Sequence, residues 1–243
     1  MPREFLIGVD LAQSHDFTAI AVVERTVQPP SSGDGAPAEG HGLRPDGHYV
    51  LGHLERFRGQ PYPWVIARVA AVVAHMRQLG SGFEDADTTR PRWGVPTMHL
   101  VVDKTGVGAG VTDHMRVSGL RPVDVTITAG DKVHPAAHGF TVPKADLATG
   151  VQLLLQSDRL RYAADLPDLE ALKRELAAFR SKVSPLTGRV SFAAAEEWRT
   201  GGGHDDLVLA TSLAGWFGER GRGVVEFNPP VLVSAMKRLM EIR

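Results

Sequence analysis

The sequence has no cysteine among its 243 residues. This absence excludes disulfides, thiolate metal sites and a cysteine nucleophile, and it fits a protein of the cytoplasm. No apolar run approaches the roughly 20 residues that a membrane span needs. The N-terminus carries Arg3 and Glu4 and lacks the layout of a secretory signal peptide. No Ser-His-Asp or Cys-His arrangement is recognisable, so the sequence gives no indication of a protein nucleophile.

The sequence also lacks an excess of charge of either sign. Its 27 Lys and Arg residues face 28 Asp and Glu residues, which gives a formal net charge of -1. A global basic field, which many tight nucleic-acid binders carry, is therefore excluded, and a DNA substrate would need a local basic patch or a partner protein. The length, with 43% hydrophobic residues, suits one large domain with a real core, or at most two small ones.

What the sequence does contain is a regular succession of apolar strands and helices. Strands are predicted at about residues 4–10, 17–26, 48–58, 98–103 and 122–127. Helices are predicted at about 61–80, 111–117, 144–157, 169–179 and 205–220. The first three strands are joined directly, which favours an antiparallel meander, whereas the later strand-helix-strand order favours a parallel crossover. We predict an α/β protein with a mixed five-stranded sheet and helices on both faces, a layout that resembles the ribonuclease H-like fold.

Two further segments complete the predicted organisation. The stretch Ser-Pro-Leu-Thr-Gly lies between Lys182-Val183 and Arg189-Val190, which predicts a β-hairpin inserted before the last core helix. Residues 27–47 are rich in Pro, Gly and Ser and lack apolar periodicity, so we expect a mobile loop there. We expect a single domain over residues 1–220 and a C-terminal tail over residues 221–243.

Two acids stand at the ends of buried strands. Asp10 ends the first strand and Asp103 ends the fourth. If these strands are neighbours, roughly 5 Å apart, their carboxylates converge at one edge of the sheet. A buried acid is costly unless something pairs with it, and a divalent metal is a common partner. Each acid could instead cap the turn that follows it. Two such acids, together with a third acidic pair, favour a metal site.

The third acidic position is the pair Asp205-Asp206 at the start of the last helix, where Asp is also favoured as a cap. Adjacent helical residues point about 100° apart, so the two acids cannot do the same job. Asp206 shares its face with Ala210 and Leu213, the face expected to pack on the sheet. We therefore predict Asp206 as the inward ligand and Asp205 as a cap or secondary ligand. Asp16, just beyond the first strand, is either an extra ligand or a turn residue.

Glycine-rich and basic segments give weaker signals. Residues 105–108 could cradle a phosphate at a helix N-terminus, although a tight strand-to-helix turn explains them better, and no Gly-Lys-Ser/Thr follows as in a Walker A loop. Four basic residues lie around a helix start and the predicted hairpin: Lys144, Arg180, Lys182 and Arg189. Solvated surface charge is their default interpretation, and they are also the best candidates for contacts with a DNA backbone.

Four segments, taken in order, resemble the nuclease domain of the large terminase subunit of tailed bacteriophages. They are Gly8-Val9-Asp10, residues 102–108, Val142-Pro143-Lys144 and residues 204–210. The resemblance covers nearly the whole chain, and it rests on the ordered set and its spacing because no single motif is highly specific.

This resemblance implies a metal-dependent endonuclease that cuts double-stranded DNA with two Mg²⁺ or Mn²⁺ ions during genome packaging. The acidic triad of that family falls on Asp10, Asp103 and the Asp205-Asp206 pair, with Asp16 at the place of an accessory acid. The implied location is the cytoplasm of a bacterial host cell. The implied partners are DNA, a packaging ATPase, the small terminase subunit and the portal. Large terminase subunits carry an N-terminal packaging ATPase without a counterpart in this sequence, so the motor function is not carried over.

Three other functions are open from the sequence. A structure-selective nuclease, similar to Holliday-junction resolvases, could use the same fold. An actin-like or sugar-kinase-like nucleotide binder would also place residues 8–11 before a turn and a second strand, but it needs a second glycine-rich phosphate loop that we do not find. A non-cleaving DNA-binding or assembly module has no need to keep acids where phosphates sit, so the intact acid set disfavours it.

Overall fold

The computed structural model describes residues 3–12, 16–27, 47–81, 97–106, 108–183, 190–194 and 204–220, with the backbone alone for 179–183 and 190–194. Most of the segment expected to be a mobile loop, residues 28–46, lies outside the described residues, as does the C-terminal tail at 221–243. The loop and the domain boundary at residue 220 therefore stay predictions.

Eight strands in the described part of the chain form one mixed sheet. They are β1 (Arg3–Asp10), β2 (Thr18–Val27), β3 (Gly47–Phe57), β4 (Thr97–Asp103), β5 (Pro122–Thr128), β6 (His134–Ala136), β7 (Gly139–Pro143) and β8 (Leu160–Tyr162), in the order β6-β7-β5-β4-β1-β2-β3-β8. Strands β1 to β3 form the antiparallel meander, and β4 and β5 run parallel to β1. The five predicted strands are confirmed and occupy the centre of the sheet.

The predicted strand number of five is too low, because β6, β7 and β8 extend the sheet at its two edges. The sequence indicates a Gly/His/Pro-rich loop before residue 142 and a short extended piece at residues 160–162. With three to five residues each, these strands are too short to show a period. Their pairing partners lie far away in sequence: β7 pairs with β5, and β8 pairs with β3.

Five helices are described, and they cover both faces of the sheet. They are α1 (Tyr62–Ser81), α2 (Gly108–Val117), α3 (Lys144–Gln156), α4 (Leu169–Ala178) and α5 (Asp206–Arg220). Helices α1 and α2 pack with Ile7 and Val9 on one face, and α3, α4 and α5 pack with Leu6 on the other. The predicted hairpin is confirmed as β9 (Phe179–Val183) paired antiparallel with β10 (Val190–Ala194), separate from the main sheet and in contact with α3. No helix among the described residues is both long and apolar enough to cross a membrane.

Helix α5 lies directly on β1, and Gly8 makes this close approach possible. A Cβ atom at Gly8 would overlap the backbone carbonyl oxygen of Ala210. Further along the helix, Gly218 lies against Leu6, so α5 runs antiparallel to β1. The helix therefore begins near the strand's C-terminal end. Four helical residues before Ala210 span about 6 Å, and two strand residues beyond Gly8 span about 6.6 Å, so the start of α5 and the end of β1 reach the same edge.

Candidate active site

The pairing of β1 with β4 sets Asp10 beside Asp103. The two strands are parallel neighbours, as expected, and the last paired residues, Val9 and Val102, immediately precede the two acids. Both acids are buried, each with 8% of its surface exposed. The charge of Asp103 raises the pKa of Asp10, so the two carboxyl groups interact electrostatically. The C-terminal edge of the sheet thus holds two adjacent carboxyl groups largely removed from water.

Burial makes both groups poor acids, and like charge adds to this effect at Asp10. Burial raises the pKa of Asp10 well above its usual value, and the charges of Asp103, Asp206 and Asp205 raise it further. Burial also raises the pKa of Asp103, although hydrogen bonds from Thr105 and the charge of Lys144 oppose the rise. A proton or another cation is therefore bound more tightly here than at an exposed carboxylate.

Asp103 also caps the turn that follows its strand. The backbone N–H of Thr105 donates to Asp103 Oδ1 at 2.7 Å, and the Thr105 hydroxyl accepts a bond from the N–H of Ile127 at 2.9 Å. A Cβ atom at Gly108 would lie against the Asp103 carbonyl oxygen, so glycine allows α2 to start immediately after the turn. The segment between β4 and α2 is therefore the tight strand-to-helix turn that the sequence favoured over a phosphate-binding loop. Asp103 can therefore cap the turn and belong to the acid cluster at the same time, because the turn fixes its carboxyl group.

The two acids at the start of α5 have different surroundings. Asp206 is buried, and its Oδ2 has no hydrogen-bond partner among the described residues, with His204 Nδ1 3.6 Å away. Burial raises the pKa of Asp206 to about 7, and the charges of Asp205 and Asp16 contribute. The Asp205 side chain is about one-quarter exposed and pairs with Lys144 Nζ at 2.6 Å. Asp16 is exposed, and its charge reaches Asp206.

The chemistry of this donor set fits a hard divalent cation. Asp10, Asp103 and Asp206 offer carboxylate oxygens from three elements, and such oxygens are the ligands that Mg²⁺ and Mn²⁺ prefer. The buried, unpartnered Oδ2 of Asp206 is an acceptor that a cation would satisfy. Within the described residues, no group of three or more acidic or imidazole side chains is already gathered closely enough to enclose a metal ion. Binding would therefore need the side chains to draw together.

Glu175 in α4 supports the acid cluster. It was not predicted from the sequence. Its Oε2 accepts from the backbone N–H groups of Leu207 at 2.9 Å and Val208 at 3.2 Å, so it caps α5 from another helix. Its Oε1 accepts from Arg56 Nη1 at 3.0 Å. Burial raises the pKa of Glu175 to about 7, and the charge of Asp206 adds to the rise. One signal was available: Glu175 lies three residues after Leu172, beside the apolar stripe of its helix.

The basic residues proposed as DNA contacts are only partly described. Lys144 lies at the acid cluster, ion-paired with Asp205, and its charge lowers the pKa of Asp10. Arg180 and Lys182 belong to β9, where the backbone alone is described, and Arg189 lies outside the described residues. Contact of these residues with DNA stays a prediction.

The sheet order β3-β2-β1-β4-β5, with β2 antiparallel to the other four strands, is that of a ribonuclease H-like fold. The solved structure of the large terminase nuclease from the thermophilic phage G20c is similar to this chain, with a TM-score of 0.51 and 17% sequence identity. The match covers 87% of this chain and 81% of the phage nuclease chain. No protein-family model and no curated protein matches. At this identity the likeness establishes the fold, and it confirms the resemblance to the terminase nuclease fold that the ordered segments indicated.

Proposed function

We propose that the protein is a metal-dependent endonuclease that cleaves double-stranded DNA. The observation that carries the proposal is the convergence of Asp10, Asp103 and Asp206 at one edge of the sheet, buried and with Asp206 Oδ2 unpartnered among the described residues. A buried negative cluster of this kind is costly unless a cation joins it. The fold shared with a terminase nuclease supports the same function.

Asp10, Asp103 and Asp206 would hold one or two Mg²⁺ or Mn²⁺ ions, with Asp205 and Asp16 as secondary ligands. When bound, such ions activate a water molecule, position the scissile phosphate and stabilise the leaving 3′-oxygen in an in-line displacement. No side chain then has to act as the nucleophile, in keeping with the sequence.

The neighbouring residues keep the three acids in place. Thr105 fixes the carboxyl group of Asp103 through its backbone N–H. Glu175 fixes the start of α5, and therefore Asp206, through the N–H groups of Leu207 and Val208. A rigid supporting layer of this kind typically accounts for 10- to 100-fold in metal affinity or activity.

The substrate and partners follow from the same resemblance. Lys144, Arg180, Lys182 and Arg189 would contact the DNA backbone beside the acids, since β10 of the hairpin contacts the helix that Lys144 begins. Cutting DNA during genome packaging, in the cytoplasm of a bacterial host and together with a packaging ATPase, the small terminase subunit or the portal, is the setting that we propose.

Incubation of the purified protein with supercoiled plasmid in EDTA, Mg²⁺ or Mn²⁺ tests the function. We expect nicked and linear products with either ion and none in EDTA. Asp10→Asn should reduce cleavage about 100-fold or more, since a direct ligand matters at least as much as its support. Asp113→Asn, at an exposed acid of α2, is the matched control and should cleave normally.

Cleavage by Asp10→Asn at the wild-type rate would remove the acid cluster from the mechanism. Binding of ATP without any cleavage of DNA would instead favour the nucleotide-binding alternative.

A further inference from the structure

A cavity of about 320 Å³ opens beside the acid cluster. It lies between the end of β1, the start of β2, the end of β3 and the start of α1, and its walls include Ala12, Asp16, Phe57, Arg58 and Tyr62. Ala12 is two residues beyond Asp10. The cavity therefore borders the site where the proposed function places the scissile phosphate.

A chain of contacts joins the cavity to the acids. The Arg58 guanidinium lies over the ring of Phe17, 5.3 Å from its centroid. The ring of Phe17 meets His204 edge-on with centroids 4.9 Å apart, and His204 Nδ1 is 3.6 Å from Asp206 Oδ2. Phe17 and His204 thus connect Arg58 with Asp206.

Arg58 differs from the other cations at this edge. Lys144 pairs with Asp205, and Arg56 pairs with Glu175 at 3.0 Å. Arg58 is exposed and pairs with no carboxylate among the described residues. Its contact with Phe17 restrains the guanidinium, and an exposed guanidinium has N–H donors that suit phosphate oxygens.

Tyr62 supplies the apolar side of the cavity. It is the first residue of α1, it keeps 39% of its surface exposed, and its hydroxyl lies 3.5 Å from the carbonyl oxygen of Ala12. Phe57, also on the cavity wall, packs edge-on against Trp64 with centroids 4.9 Å apart. An exposed aromatic ring that lines a cavity together with an arginine is the combination on which single-stranded nucleic acid stacks its bases.

The geometry points to a subsite for one unpaired nucleotide of the DNA strand next to the scissile phosphate, with its base on Tyr62 and its phosphate on Arg58. This inference rests on the proposed function and adds a substrate preference to it. The cavity volume lies at the small end of the range for ligand pockets, which suits one nucleotide. Substrates with an overhang or a frayed end should bind better than blunt duplexes.

Binding of a single-stranded oligonucleotide containing 2-aminopurine, followed by fluorescence in EDTA at low salt, tests the subsite without any cleavage. We expect stacking on Tyr62 to change the fluorescence and Tyr62→Ala to weaken binding about tenfold. Tyr62→Phe keeps the ring and should bind as wild type. Arg58→Gln should weaken binding and reduce the salt slope by about one. Overhang and blunt duplexes, compared by anisotropy, test the preference.

The matched controls are Tyr162→Ala and Arg121→Ala, at an exposed tyrosine of β8 and an exposed arginine before β5. Both should bind as wild type. Wild-type binding by both Tyr62→Ala and Arg58→Gln, equal weakening by the controls, or no binding by the wild type would overturn the subsite. If melting shows that Tyr62→Ala is unfolded, Arg58→Gln and Tyr62→Phe decide the outcome.

The plasmid assay separates this inference from the proposed function. Cleavage by the wild type, with oligonucleotide binding unaffected by Tyr62→Ala and Arg58→Gln, removes the subsite and leaves the nuclease. Binding that depends on both residues, without cleavage in Mg²⁺ or Mn²⁺, leaves the subsite and removes the nuclease.

Discussion

The two ends of α5 each carry a buried carboxylate in contrasting surroundings. Near the C-terminal end, Glu219 accepts hydrogen bonds from the Tyr49 hydroxyl at 2.5 Å and from Arg159 Nη2 at 2.6 Å and Nη1 at 3.0 Å. Arg25, fully buried, joins this network through Tyr49 and pairs with Glu4 at 2.9 Å. At the N-terminal end, Asp206 Oδ2 has no hydrogen-bond partner among the described residues.

The difference separates an acid that stabilises the fold, Glu219, from acids whose burial lowers its stability. Each carboxylate lost hydration when it was buried. At Glu219, paired cations and hydrogen bonds offset that loss. At the other end, the charges of Asp103 and Asp206 raise the pKa of Asp10, and Lys144 pairs instead with Asp205. Burial without compensation lowers stability, and a bound divalent cation would reverse the effect. Variants at the two ends should therefore behave in opposite ways.

The largest effect is expected from Glu219→Ala. It removes the acceptor that Tyr49 and Arg159 share, and breaking a largely buried ion pair typically costs about 3–5 kcal/mol in the free energy of unfolding. In EDTA, Asp206→Asn should cost nothing or raise stability. Urea unfolding of both variants measures the contrast, with Glu170→Ala, at an exposed acid of α4, as the control within about 0.5 kcal/mol. Greater destabilisation by Asp206→Asn than by Glu219→Ala would invert the comparison.

The second effect is a pH dependence confined to the N-terminal end. The pKa of Asp206 rises from 3.8 to about 7 on folding, so between these values the native state keeps a proton that the unfolded chain has released. Its contribution to stability is therefore present below about pH 4 and is lost as the pH rises through about 7, by on the order of a few kcal/mol. Urea unfolding in EDTA at pH 5, 6, 7 and 8 should show this fall in wild type and a smaller one in Asp206→Asn. Glu175 titrates in the same range, and part of the change in Asp206→Asn comes through it because the charge of Asp206 raises its pKa. Equal slopes in the two proteins would refute the assignment to Asp206.

The third effect is stabilisation by metal at one end alone. A ligand that binds only the native state adds about 2.7 kcal/mol at 100 times its dissociation constant. Mn²⁺ should therefore raise the melting temperature of wild type, and Asp10→Asn should respond much less. Glu219→Gln changes the other end of α5 and should respond like wild type, whatever its own melting temperature. Equal responses of wild type and Asp10→Asn would show that the metal binds elsewhere.

Features set by residues close together in the sequence could be predicted, whereas contacts between residues far apart in the sequence could not. The central strands were predictable because they are 7 to 11 residues long and rich in apolar residues. Asp10 and Asp103 were predicted at one edge because parallel neighbours end together. Strands β6, β7 and β8 were not, because three to five residues carry no period and their pairing is tertiary. The residues that support the acids could not be predicted from the sequence either. Arg56 and Glu175 are 119 residues apart, and Glu175 and Leu207 are 32 apart, so only the folded chain brings them together.

The smallest effect concerns the neighbouring acids Asp205 and Asp206. Asp205→Asn breaks a pair whose members are 30% and 25% exposed, so stability in EDTA should change by less than about 1 kcal/mol. Lys144 would remain beside the cluster, where its charge already lowers the pKa of Asp10 and Asp103. Most of the stabilisation by Mn²⁺ should therefore survive in Asp205→Asn, whereas Asp206→Asn removes the buried, unpartnered oxygen and should lose most of it.

Thermal melts of both variants across a Mn²⁺ titration decide between the two acids. A ligand in direct contact with the ion shifts the titration midpoint, whereas an acid that acts only through Lys144 changes the stability of the metal-free protein and leaves the midpoint nearly where it was. The double variant adds a second criterion: if Asp205 acts independently of the ion, its small effect in EDTA should persist unchanged in the Asp206→Asn background. A loss of Mn²⁺ response in Asp205→Asn as large as that in Asp206→Asn would make Asp205 a direct ligand. The contrast in stability and metal response between the two ends of α5 would then depend on both acids at its start.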